Sequence, residues 1–146
     1  RARPALIILM VQKEVAQRIT ATPGEMSLLS VSVQFYGTPQ LVRHVPAGAF
    51  YPVPKVDSAI LRIEPLADPR MDDREVEGFF RVVRAGFGQK RKQLRNSLAQ
   101  GLHLPTPTTD RAMNEAEIDP ERRAQPLSVE RWMKLYRALN ADAQGS

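Results

Sequence analysis

Cysteine is absent from the 146 residues. That excludes disulfides, zinc–thiolate sites and a cysteine nucleophile, and it fits a reducing compartment. Histidine occurs only at His44 and His103, far apart and without further ligands at metal-binding spacing, so no metal is expected. The longest apolar run, Ala5 to Val11, is far too short to cross a bilayer. It also lacks the small-residue cleavage site of a secretory signal. A soluble, cytoplasmic protein with no membrane partner is the expectation. The few glycines form no phosphate cradle: Gly86-x-Gly88 lacks a third glycine and follows a helical pattern, and no Walker sequence occurs. Ser58 and Asp57 have no general base near them in the sequence, which leaves a hydrolytic triad unsupported. By themselves the residues show no catalytic constellation.

What is present suffices for a core. Hydrophobic residues make up 42% and charged residues 25%, with a net charge of +5 that favours polyanionic partners. Ala5 to Val11 reads as a strand buried on both faces of a parallel sheet, with neighbours on both edges. Gln12 to Thr20 follows as a helix with Val15, Ala16 and Ile19 on one face, stopped by Ala21-Thr22-Pro23-Gly24. Ser27 to Tyr36 fits alternation and a helical face about equally and is assigned as a helix. Leu41 to Val45 and Ser58 to Glu64 read as strands able to pair antiparallel, the second with Ala59, Leu61 and Ile63 on one face. The proline-rich stretch Pro65 to Arg70 marks a boundary between a unit 1–66 and a helical unit 67–146.

In the helical unit, Val76, Phe79, Phe80, Val83 and Phe87 make an apolar stripe that predicts a helix from Asp73 to Phe87. A second helix is expected from Arg91 to Leu102, a third from Thr109 to Glu117, and a short turn at Asp119-Pro120. The last is expected from its N-cap Ser128 to Leu139, buried through Val129, Trp132, Met133, Tyr136 and Leu139, with Ala141 to Ser146 frayed.

Two stretches carry candidate function. In Ala49-Phe50-Tyr51-Pro52-Val53-Pro54-Lys55-Val56-Asp57-Ser58, alternate prolines stiffen an extended arm that presents Phe50 and Tyr51 beside Lys55. Such an arm suits stacking on a planar ligand, a nucleobase foremost, at about 1–3 kcal/mol per base. The competing reading is that both rings cap a core. The second stretch, Arg81 to Arg95, holds six cations (Arg81, Arg84, Lys90, Arg91, Lys92, Arg95) and no carboxylate, with Gln89 and Asn96 as uncharged donors. Converging near Gly88, these fit phosphate-backbone contacts better than a solvated face, because like charges repel without counter-charges.

These stretches also carry a resemblance. Phe50-Tyr51-Pro52-Val53-Pro54-Lys55-Val56-Asp57-Ser58-Ala59 resembles the late motif of the ribosomal RNA adenine dimethyltransferases. Leu9-Met10-Val11-Gln12-Lys13-Glu14-Val15-Ala16-Gln17-Arg18 resembles their strand-to-helix segment, and Phe87-Gly88-Gln89-Lys90-Arg91-Lys92-Gln93-Leu94-Arg95-Asn96-Ser97-Leu98 their C-terminal signature. Arg123-Ala124 with Leu127-Ser128 resembles the entry to their final helix. The late motif is shared with the related erythromycin-resistance methyltransferases, which act on large-subunit RNA; the basic signature favours the small-subunit enzymes.

The resemblance implies a fold of α/β plus all-α type: the last strands of a class I, Rossmann-like methyltransferase sheet, then a small helical domain that binds RNA. It implies S-adenosylmethionine as cofactor and dimethylation of two adjacent adenines near the 3′ end of small-subunit ribosomal RNA, within the assembling subunit. Phe50 would stack on a flipped adenine, held by Pro52 and Pro54 with Tyr51 adjacent, and Lys55 would face phosphate or the sheet. The family's glycine-rich cofactor loop, acidic ribose-binding residue and Asn-Leu-Pro-Tyr motif do not occur in this sequence. No catalytic or cofactor-binding residue is therefore assigned, and the chain alone is expected to be inactive. A non-enzymatic RNA-binding or ribosome-assembly module of the same fold is the alternative.

Overall fold

Strands β2 (Gly37–Val45) and β3 (Ser58–Pro65) form the antiparallel pair that their alternation predicts, with Val45 opposite Ser58 and Gly37 opposite Pro65. The computed structural model describes residues 5–89 and 91–145 of the chain, with side chains of 142–145 excepted. β2 starts earlier than the expected Leu41. It takes in Pro39, which an edge strand tolerates because its missing N–H need not serve a second neighbour. Between Leu41 and Arg43 the register shifts by one residue, a β-bulge that leaves Val42 without a partner on β3.

Strand β1 (Ile7–Gln12) lies on the other side of β3, giving the order β1-β3-β2. Here the reading of a buried strand in a parallel sheet is corrected. Among the described residues β1 pairs only with β3, antiparallel, from Ile7 opposite Ile63 to Gln12 opposite Ser58. Ile8 and Met10 are 63% and 56% exposed. An apolar run records a demand for burial; it does not tell which way its partner runs.

Helix α1 (Lys13–Ile19) follows β1 directly and covers one face of the sheet. Ala16 and Ile19 pack on Ala59 and Leu61, with Val11, Val15 and Val33 around them. Helix α2 (Leu28–Gln34) resolves the ambiguous segment. Ser27 and Ser30 close a reciprocal cap, each side chain accepting the other's backbone N–H, so local chemistry decides for helix over strand. The Gln34 side-chain amide donates to the carbonyls of Ile19 and Ala21, both at 2.9 Å, tying α2 to the end of α1.

The helical region comprises α3 (Asp73–Phe87), α4 (Leu94–Leu102), α5 (Thr106–Glu115) and α6 (Val129–Gly145). Asp72 caps α3 through the N–H groups of Arg74 and Glu75. α4 begins three residues later than expected, since Gln93 is extended at its N-cap position and Leu94 donates its N–H to the Arg122 carbonyl. α5 begins at Thr106 and contains Pro107, because proline in a first turn forfeits no helical bond. α6 runs on to Gly145, past the Ala141 where fraying was expected; Ser146 lies outside the described residues. Its N-cap is Ser128, whose hydroxyl accepts from the Arg131 N–H.

Trp132 of α6 is the largest fully buried side chain, and two glycines admit it and its neighbours. A Cβ on Gly86 would lie 2.5 Å from the Trp132 ring, and one on Gly101 would lie 2.7 Å from the Ala85 Cβ. These positions therefore set how closely α3, α4 and α6 approach. The core reaches back across the Pro65–Arg70 stretch: Phe35, at the end of α2, stacks on Phe79 at 4.6 Å and meets Phe80 edge-on.

Candidate nucleic-acid interface

The connection from β2 to β3 carries the aromatic arm. Ala47–Ala49 makes a 3-10 turn, then the chain bends at Phe50–Pro52 and again at Lys55–Val56, with a cis bond between Tyr51 and Pro52. The arm, expected to be stiff and extended throughout, is thus bent at both ends. Tyr51 is 99% exposed, while Phe50 is half-buried; Pro52, Val53, Pro54, Lys55 and Val56 are all exposed. The Tyr51 ring therefore caps no core and stands free in water.

The foot of the arm holds a pair that sequence reasoning missed. His44 Nε2 lies 2.9 Å from Asp57 Oδ2, and Asp57 Oδ1 accepts the Ala47 N–H at 2.8 Å. The Ala47 amide first, and the His44 ring second, hold the Asp57 carboxyl below its usual range. Thirteen residues separate the pair along the chain, which hides the basic partner from a search of near neighbours. The signal was available in the strands: an antiparallel pair closing at Val45 and Ser58 necessarily sets residue 44 beside 57–59.

The basic stretch divides. Arg81 and Arg84, exposed on α3, line a groove with Gly88, Gln89, Ser97, Gln100 and Gly101. Arg91 and Lys92 are exposed in the turn before α4, where Lys92 Nζ donates to Gln100 Oε1 at 3.4 Å. Arg95 does not join them as a free cation, since its guanidinium pairs with Asp110 of α5 at 3.5 Å. Asn96 is exposed beside it. Lys90 lies outside the described residues. Ser97 and Gln100 are not singled out by the sequence pattern; their spacing of three on one helix face was the available clue. Ser97 Oγ donates to the Gln89 carbonyl, which fixes the turn that bounds the groove.

Among the described residues there is no cluster of three or more acidic, histidine or cysteine side chains able to hold a metal, and no helix is long and apolar enough to cross a membrane.

Comparison with known proteins places this arrangement. The family described as ribosomal RNA adenine dimethylase matches residues 2–141. Ribosomal RNA small subunit methyltransferase A of Dehalococcoides mccartyi (strain CBDB1) is 50% identical over 135 residues, covering 92% of this chain and 46% of the relative. The protein of the same name from Desulfitobacterium hafniense is 41% identical, covering 92% of this chain and 49% of the relative. The chain thus spans about half the length of the curated relatives it matches.

Two solved structures share the fold. The crystal structure of 23S rRNA methyltransferase ErmE aligns with a TM-score of 0.70 at 26% identity, over 93% of this chain and 55% of that one. A dimethyladenosine transferase from Plasmodium falciparum aligns with a TM-score of 0.78 at 23% identity, over 97% and 58%. The three strands are therefore the last strands of a class I methyltransferase sheet, and the helices after them are its small helical appendage. The sequence identity, the coverage and the shared fold agree: the chain belongs to the ribosomal RNA adenine dimethylase family.

Proposed function

We propose that this chain is the RNA-positioning part of an S-adenosylmethionine-dependent methyltransferase that dimethylates two adjacent adenines near the 3′ end of small-subunit ribosomal RNA. The observation that carries the reading is the bent arm with Tyr51 wholly in solvent and Phe50 half-covered at its root. An exocyclic amine inside a duplex is out of reach of a methyl donor, so the target base must leave the stack and be received on a π-face. In this reading Phe50 stacks on the base, Tyr51 lies next to it, Pro52 and Pro54 shape the arm, and Lys55 meets a neighbouring phosphate. Arg81 and Arg84 hold the RNA backbone along the groove. Arg91 and Lys92 reach it from the turn before α4, Arg95 contributes while it is paired to Asp110, and Lys90 is assigned to the same role from the sequence alone.

The strand-to-helix junction of this chain does not fit the methyl donor. The direct junction from β1 to α1 passes from Gln12 to Lys13 without a glycine that would let backbone amides approach a ligand. This supports a cofactor site outside the present chain and a chain that is inactive alone. We assign the part up to residue 66 to the methyltransferase domain and 67–146 to the RNA-binding domain. Action in the cytoplasm on the assembling small subunit belongs to the same proposal.

The test is a methyl-transfer assay on small-subunit RNA with the full-length protein and with the 146-residue chain. The full-length protein should methylate; the chain should bind RNA and fail to bind S-adenosylmethionine in calorimetry. Replacing Arg81 and Arg84 by alanine should reduce the slope of log affinity against log salt by about 1.5, with folding intact. Cofactor binding by the chain alone, or a salt slope unmoved by the double substitution, would refute the assignment. RNA binding without methyl transfer by the full-length protein would favour the non-enzymatic assembly module.

A further inference from the structure

The side chains from Tyr51 to Val56 make no hydrogen bond, ion pair or ring contact with any other described residue. The direction in which the arm leaves the sheet is therefore decided at its foot. Three bonds meet there on a single residue. Asp57 Oδ1 accepts the Ala47 N–H, Oδ2 faces His44 Nε2, and the Asp57 carbonyl accepts the Lys13 N–H at 2.9 Å. These join the 3-10 turn that launches the arm, the last residues of β2, and the head of α1. An ionised carboxylate only accepts, so the His44 nitrogen facing it carries the proton.

We propose that Asp57 is the positioning residue of the aromatic arm: it latches the turn at Ala47 and the strand at His44 to the foot of β3, and so aims Phe50 and Tyr51. This rests on the reading of the arm as a base-stacking surface. In this proposal Asp57 acts through the backbone of Ala47 and the ring of His44. With the latch removed, the arm keeps its residues and loses its direction. Residues 51–56 are exposed, Phe50 is half-buried, and none of them belongs to either apolar core, so global stability depends little on the latch.

The experiment compares Asp57→Ala, Asp57→Asn and His44→Ala in the full-length protein. Stacking is read by quenching of 2-aminopurine placed at the target adenine in a short RNA. Arm order is read separately, without RNA, from the 19F line of 3-fluorotyrosine at Tyr51, assigned with Tyr51→Phe. Asp57→Ala should lower the affinity of the quenching phase about tenfold and sharpen the Tyr51 line, with the melting temperature and the salt-dependent RNA affinity unchanged. Asp57→Asn keeps an oxygen for the Ala47 N–H and should recover most of both signals; His44→Ala should lose less than Asp57→Ala. An unchanged Tyr51 line in Asp57→Ala, or equal loss in Asp57→Ala and Asp57→Asn, overturns the latch. Should Asp57→Ala fail to fold, His44→Ala decides alone: an unchanged Tyr51 line overturns the latch. Absence of quenching in the unsubstituted protein would instead overturn the stacking reading, and the 19F line would still judge the latch.

Discussion

The sheet region and the helical region use apolar residues in opposite ways. In the helical region they are consumed: Phe79, Val83, Leu94, Leu98, Met113, Trp132 and Leu135 are fully buried, and glycines at 86 and 101 remove even a methyl group to let helices meet. In the sheet region Ile8, Met10, Leu41 and Val42 stand more than half in water, although their composition is that of a core. The helical stripe finds its partners within this chain. Among the described residues the sheet has α1 over one face only, and the relatives are about twice as long as the chain. Apolar composition alone does not distinguish a finished core from a surface awaiting one.

The sharpest way to test the contrast is to add one methyl group to each region. Gly86→Ala should destabilise the chain by about 3 kcal/mol in denaturant melts followed by Trp132 fluorescence, because its Cβ would intrude on Trp132 and Leu94. Gly48→Ala lies in the loop after β2, where a Cβ would point into open space, and should be close to neutral. If both substitutions cost the same, the two regions do not differ in packing as described.

Next comes the open sheet. The chain on its own should self-associate through the outer edge and exposed face of β1. Ile8→Lys with Met10→Lys should shift it toward monomer by light scattering and change its stability by less than about 0.5 kcal/mol. A monomeric unsubstituted chain with β1 ordered would remove the contrast at its source.

Within the basic stretch the effects are smaller. Arg95→Ala should cost about 0.5 kcal/mol by leaving Asp110 unpaired, since the pair is only partly shielded from solvent, whereas Arg84→Ala should leave stability unchanged and weaken RNA binding. Equal stability losses would mean that Arg84 too is held by the fold.

The smallest effects are set by pH, and they separate the regions by sign. Asp57 has a lowered carboxyl pKa, so its contribution is present above the unfolded value of 3.8 and is lost as pH falls through the folded value below it. Tyr136, over which Gly78 packs, has its phenol pushed up, mainly by burial and then by Glu75 and Asp72. Its contribution is present below the unfolded value of 10 and is lost as pH rises through the folded value above it. Carbon-detected titration of Asp57 and ultraviolet titration of Tyr136 should give midpoints displaced in those directions.

The same contrast governs what was legible in the sequence. Helix α3 could be bounded at Asp73 and Phe87 because its whole stripe is answered within the chain. The start of α4 is not readable in the same way: Arg91 to Gln93 suit a helix by propensity, while the tie from Leu94 to Arg122 is a tertiary bond no local pattern reveals. In the sheet, the strands were readable but the direction of β1 was not. The aromatic arm announced itself through its prolines and rings; its latch did not, because His44 and Asp57 meet only once β2 and β3 are paired. Arg95 is indistinguishable from its basic neighbours until α5 supplies Asp110.

The bulge in β2 has a consequence for how this hairpin tolerates changes of length. Leu41 aligns with Leu61 and His44 with Ala59, two positions on one face of β3 reached by a step of three residues on β2. Val42 is the supernumerary residue of that step. Deleting Val42 would restore a regular ladder and leave His44 in register with Ala59. Inserting one residue between Arg43 and His44, with the pairings of Leu41 and Arg43 kept, would turn His44 to the opposite face, away from Asp57. The strand thus carries one dispensable residue, and the arm's aim depends on the parity of the count after it.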